Sequence, residues 1–167
     1  MPEKAPSTAE VKINPDAHRR ARGPSWGCAE NCLKEILLRL GIVTGVGELA
    51  GLVKATTEGA SFADLVRVIK TKGLTAVPKK LSADELESVL LAGEGPAIVH
   101  MSYGGGHFSI AEAFEGRIRL LDPPDRVWES GPARLREAFT GFAMFFKGAG
   151  RSRSAVSPTT AQKPTRR

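Results

Sequence analysis

Apolar residues recur at three- and four-residue spacings along Ala29–Leu40, where Cys32, Leu33, Ile36, Leu37 and Leu40 form one stripe and Gly41 supplies a stop. That pattern predicts an amphipathic helix. A second helix is expected over Val46–Lys54. Ser61 and Asp64 have capping-box spacing and open a third, with Phe62, Leu65, Val66 and Ile69 on its apolar face and Gly73 at its end. Ser82 and Glu85 repeat the signal before Leu86, Val89 and Leu90. From Gly95 onward the period shortens. Pro96–Met101 is a compact apolar run, Tyr103–Gly106 a Gly-rich turn, and His107–Phe114 an alternating strand that Glu115-Gly116 turns into Arg117–Leu121. Asp122-Pro123-Pro124-Asp125 stops that strand. A short strand over Val127–Glu129, a helix over Ala133–Ala138 and a last strand over Phe142–Phe146 complete the pattern. Helices fill the first half and an antiparallel sheet the second, which is an α+β fold.

The chain has 167 residues, of which 41% are apolar and 25% charged, enough for one globular core. Its net charge of +6 suggests a nucleic-acid partner until the charge is located. Residues 1–23 carry five bases against three acids, and residues 149–167 carry five bases and no acid, so the intervening segment is slightly acidic. Both ends are poor in branched apolar residues and cannot offset the entropy of ordering. The expected organisation is a disordered head (1–21), a folded domain (22–147) and a disordered basic tail (148–167). A solvated tail and no nucleic-acid partner are the expectation. Two cysteines are too few for a disulfide scaffold. No apolar run reaches the length of a membrane span and no secretory signal opens the chain, so a cytoplasmic location is expected.

Cys28 immediately precedes the strongest predicted helix, beside unpaired backbone N–H groups and the positive end of the helix dipole. That placement favours the nucleophilic thiolate. Cys32, one turn on, falls on the apolar stripe and reads as core. A zinc site would need a second Cys or His pair, whereas His18, His100 and His107 are scattered, so no metal is expected. A disulfide within one helix would be strained. His107 opens a strand after three glycines. The Glu115-Gly116 turn sets residue 107 opposite a position near 124, which brings Asp122 within side-chain reach. Cys, then His, then Asp are the parts of nucleophilic catalysis. A buried small residue at Cys28, a backbone-satisfied His107 and a turn-forming Asp122 are the alternative readings.

The stretch Cys28-Ala-Glu-Asn-Cys-Leu-Lys-Glu-Ile-Leu-Leu-Arg-Leu-Gly41 resembles the nucleophile helix of the bacteriocin-processing cysteine peptidases, family thirty-nine. The resemblance continues through Gly59–Leu65, Lys72-Gly73-Leu74, Pro96–His100, His107-Phe108-Ser109-Ile110, Leu121-Asp122-Pro123 and Phe139–Ala143. It implies a papain-like α+β fold with Cys28 as nucleophile, His107 as base and Asp122 as orienting acid, and no cofactor. It also implies cleavage of a leader peptide after Gly-Gly, in association with an ABC exporter that here would be a separate chain, with the domain on the exporter's inner face.

Three positions depart from the family pattern. The Gln six residues before the nucleophile, an oxyanion-hole donor, is Arg22, and Arg22 and Ser25 are the candidates to replace it. Ala29 stands in place of Gly after the nucleophile, and Gly27 in place of Asp before it. A missing oxyanion donor costs about 2.7–4 kcal/mol of transition-state stabilisation. Two further readings therefore stand beside the peptidase: a substrate-binding module of the same fold with weakened catalysis, and a papain-like acyl transferase.

Overall fold

The computed structural model of the chain describes residues 27–55, 59–103, 106–124, 126–128 and 131–147. The expected head and tail lie outside these, as do the oxyanion candidates Arg22 and Ser25. Helix α1 (Cys28–Arg39) starts from Gly27 in extended backbone and buries Leu33, Ile36 and Leu37 along its stripe. It stops at Gly41, whose φ of +81° suits a residue without Cβ. Helix α2 (Val46–Val53) is short and ends on left-handed Lys54.

Both expected capping boxes form. For α3 (Phe62–Thr71), the Asp64 N–H donates to Ser61 Oγ at 3.3 Å and the Ser61 N–H donates to Asp64 Oδ2 at 2.9 Å. For α4 (Ala83–Val89), the Glu85 N–H donates to Ser82 Oγ at 3.2 Å and the Ser82 N–H to Glu85 Oε2 at 2.7 Å. Each box satisfies two donors that the helix cannot, a stabilisation of about 1 kcal/mol per cap. Helix α4 runs on into a π-type turn over Leu90–Glu94 that ends around Gly93.

Strands β2 (Ala97–Met101), β3 (His107–Phe114) and β4 (Arg117–Asp122) follow, then β5 (Arg126–Trp128), helix α5 (Gly131–Ala138) and β6 (Phe139–Lys147). The hairpin register is the expected one, with Ile110 opposite Leu121 and Phe114 opposite Arg117. The sequence pattern did not disclose β1 (Thr75–Lys80), which carries a proline at its centre and lies at an edge of the sheet. It pairs antiparallel with β6 alone, Thr75 against Lys147 and Lys80 against Phe142. An edge is where a strand tolerates a residue without N–H. Among the described residues, one antiparallel sheet forms in the order β1-β6-β2-β3-β4-β5.

Helices cover both faces of the sheet. Helices α1, α2 and α3 pack Leu33, Ile36, Leu37, Leu49, Leu65 and Ile69 against Ile98, Phe108, Ile110 and Met144. On the opposite face α4, the π-type turn that continues it and α5 pack Leu86, Leu90 and Leu135 against Val99, Met101, Ala111, Ile118 and Leu120. Strand β2 sends Ile98 into one layer and Ala97, Val99 and Met101 into the other, and with His100 also buried all five of its positions are enclosed, so Ala97-Ile98-Val99 shows no polar alternation. At its far end α1 is tied to β3. Arg39 donates to Glu35 at 2.7 Å and pairs with Glu112, whose second carboxylate oxygen accepts from Arg119 at 2.6 Å.

Candidate active site

The β3–β4 ladder begins at Ile110 and Leu121 and does not continue toward the start of β3. In the same register Pro123 would stand opposite Phe108, and a proline has no N–H to give. The start of α1 fills the gap. The Phe108 N–H donates to Cys28 Sγ at 3.4 Å, and Phe108 O accepts from Cys32 Sγ at 3.5 Å. Two thiols one helical turn apart thus complete the hydrogen bonding of a strand residue that β4 leaves unpaired. Cys32, expected in the core, is fully buried there.

His107 precedes Phe108, so the same contact brings it to the start of α1. Its Nε2–H donates to Asp122 Oδ1 at 2.8 Å, with both side chains largely buried. The structure therefore brings together the three residues singled out in the sequence. It is His107 Nε2 that faces the carboxylate.

Burial pushes the Cys28 thiol up to about 12, and the nearby charges of Glu30 and Asp122 push the same way. The N–H groups of Phe108 and Ala29 pull it down by less. A helix start thus does not by itself produce a resting thiolate here, contrary to the sequence expectation, because Cys28 is only 6% exposed.

Sequence reasoning passed over four further residues. Glu30 is buried, and its carboxylate lies over Gly27, where an added Cβ would come within 2.6 Å of Oε2. It occupies space that an N-cap side chain would use, and desolvation raises its pKa. Ser109 donates to Asp122 Oδ1 at 2.5 Å and bonds to the Tyr103 hydroxyl at 2.9 Å. Tyr103 lies beside His107 with ring centroids 5.1 Å apart, and the Arg134 guanidinium sits 5.5 Å from the Tyr103 ring. Ser109 had a legible signal, since the hairpin register sets it directly across from Asp122.

A protein-family model described as the peptidase C39 family matches residues 22–150, which include Cys28, His107 and Asp122. The chain belongs to the peptidase C39 family. Solved structures agree at the level of fold. One, described as a double glycine motif protease from an AMS/PCAT transporter in complex with the leader peptide, has a TM-score of 0.64 at 17% identity, over 85% of this chain and 94% of that one. The peptidase domain of Streptococcus ComA, described as a bi-functional ABC transporter involved in a quorum sensing pathway, gives 0.62 at 19% identity, over 81% and 97%. The peptidase domain of Streptococcus mutans ComA gives 0.52 at 17% identity, over 81% and 98%. No curated protein matches the chain. The papain-like α+β arrangement expected of a C39-family chain is the one observed. Among the described residues, no helix of this C39-family chain is long and apolar enough to cross a membrane.

Proposed function

We propose that the chain is a cysteine peptidase that cleaves a flexible peptide after small residues such as Gly-Gly, with Cys28 as nucleophile, His107 as general base and Asp122 as the acid that orients it. The observation that carries this reading is the Phe108 N–H contact to Cys28 Sγ, because it sets the residue next to His107 against the sulfur while His107 Nε2 is held by Asp122.

The chemistry follows from that assignment. With the thiol raised to about 12, the resting nucleophile is neutral, so His107 Nδ1 takes the proton as sulfur attacks the scissile carbonyl. The carbonyl carbon becomes tetrahedral, and the backbone N–H groups at the start of α1 are donors for its oxyanion. His107 returns the proton to the leaving amine, giving a thioester, and water then releases the acid by the reverse sequence. Asp122 holds the ring in one tautomer and stabilises the imidazolium. The nucleophile is nearly enclosed, so a substrate backbone has to be slender to reach it, which favours glycine at the cleavage point.

The natural substrate in this reading is a precursor carrying a Gly-Gly leader, and the partner an ABC exporter, with processing on its cytoplasmic side. The raised thiol and Arg22 at the position of the family Gln favour a second reading, a leader-binding module with weak or no turnover. Incubating the full chain with synthetic precursors bearing Gly-Gly leaders, with Cys28→Ala as control, separates the two. Products ending at Gly-Gly in wild type only are expected. Tight binding with intact peptides would replace the peptidase by the module, and acyl transfer to hydroxylamine in preference to water would replace it by a transferase.

A further inference from the structure

Ser109 is fully buried in a strand whose same-face neighbour Ala111 belongs to the apolar layer of Ile118, Leu120 and Leu135. A hydroxyl in such a layer costs free energy unless both its donor and acceptor capacity are used, and a small apolar residue would pack there at no such cost. Both capacities are used, and in only one direction. Asp122 as a carboxylate is acceptor only, so the 2.5 Å bond has Ser109 Oγ–H donating to Oδ1. Ser109 oxygen is then left to accept, and the Tyr103 O–H, 2.9 Å away, is the donor. The phenol is pushed up to about 12 by burial and by the Asp122 charge, so it keeps its proton throughout the neutral range. The Asp122 oxygen at the end of this chain is the one that accepts from His107 Nε2–H at 2.8 Å.

We propose that Ser109 and Tyr103 are positioning residues of the site: a one-way hydrogen-bond relay, Tyr103 to Ser109 to Asp122, that fixes the carboxylate oxygen on which His107 is oriented. This rests on the triad assigned above. Two donors converging on one oxygen hold the carboxylate in a single rotamer and share its charge, so His107 meets an acceptor of set direction and moderated strength. The Tyr103 ring, 5.1 Å from the imidazole and tilted by 37°, adds a wall beside the same histidine. The relay enters from the α5 side of the sheet and α1 brings the thiol from the other, so the base is supported independently of the nucleophile.

The test uses the full chain and two substitutions that each remove a single oxygen, Ser109→Ala and Tyr103→Phe, and their combination. Cleavage of a Gly-Gly precursor is expected to lose about tenfold in kcat for Ser109→Ala, with KM within about twofold, which is the rate equivalent of one hydrogen bond of ordinary strength. Tyr103→Phe should lose less, and nothing further once Ser109 is gone, because its effect travels through that hydroxyl. Ser109→Thr, which retains the hydroxyl, should recover most of the loss. A second readout needs no substrate. The downfield proton resonance of His107 Nε2–H should move further downfield in Ser109→Ala, as the carboxylate oxygen loses a competing donor, and less far in Tyr103→Phe. Additive losses, a loss confined to KM, or an unmoved resonance in folded Ser109→Ala would overturn the relay. If wild type cleaves no precursor while the resonance still shifts in both variants, the peptidase reading fails and the relay survives as the device that orients His107.

Discussion

The Phe108 N–H points at Cys28 Sγ from 3.4 Å, and the carbonyl of the same residue accepts from Cys32 at 3.5 Å. Helix α1 therefore joins β3 through a strand residue's own ladder groups, at the place where Pro123 interrupts pairing with β4. Removing either thiol should be felt by the strand as well as by the helix.

Cys32→Ala is expected to lower stability by about 1–2 kcal/mol, from a small cavity and a buried carbonyl short of one donor. Urea unfolding under reducing conditions measures it. Cys32→Ser, which restores a donor, should recover part of the loss, and an unchanged midpoint for Cys32→Ala would show that the carbonyl is satisfied without it.

Iodoacetamide should label Cys28 before Cys32, because Cys32 is fully enclosed and its thiol is pushed well up by burial. With the Cys28 thiol raised to about 12, labelling at pH 7 is slow and climbs about tenfold per pH unit until that value is approached. Glu30→Gln removes one of the negative charges that raise the thiol and should speed labelling severalfold at pH 8. Mass mapping of the alkylated peptide decides the order, and equal labelling of both cysteines would contradict it.

Alkaline stability follows from the same shift. The folded chain keeps the Cys28 proton up to about 12, whereas an unfolded chain releases it near 9.0. The unfolded state then binds fewer protons, so stability is fully present below pH 9 and is lost as pH rises toward 12, by up to about 1.4 kcal/mol per unit for each such thiol. Cys28→Ala should shed one part of that slope. Urea midpoints at pH 8 and pH 10.5 should show wild type losing more than the variant, and parallel losses would contradict the assignment.

Gly27 and Glu30 should behave as a coupled pair. Gly27→Asp would place a side chain before Cys28, but its Cβ meets Glu30 Oε2 at 2.6 Å and its carboxylate adds a second negative charge beside that one. The single substitution is expected to destabilise by about 1–2 kcal/mol. In a Glu30→Ala background the same change should become neutral or stabilising, since Asp is a good N-cap. A double-mutant cycle by thermal unfolding reads the coupling, and additivity would show that Glu30 swings clear.

Much of this architecture was legible from local chemistry. The stripe from Cys32 to Leu40 became α1, both capping boxes formed, and Glu115-Gly116 set the register that puts His107 near Asp122. Strand β1 was hidden because Pro78 argues locally against a strand and its pairing with β6 depends on residues nearly seventy positions away. Glu30 was hidden because an acid in a first helical turn is ordinary, and only burial makes it unusual. Ser109 stood in plain view opposite Asp122, but its hydroxyl acquires meaning only when Tyr103 arrives from the preceding loop. Local pattern reports elements and registers, whereas the hydrogen-bond partners of a buried polar group belong to the assembled layers.

Arg39 and Cys28 sit at opposite ends of one helix, and each end is fastened to the same strand, Arg39 through Glu112 and Cys28 through Phe108. A helix held at both ends cannot slide along its axis or pivot about one end without breaking one of these bonds. The start of α1 is therefore held against the residue next to His107, and in the peptidase reading adaptation during docking falls to the incoming chain. A segment rich in glycine adapts at the lowest steric cost, so the proposed preference for Gly-Gly would owe as much to the stiffness of the protein as to the width of its entrance.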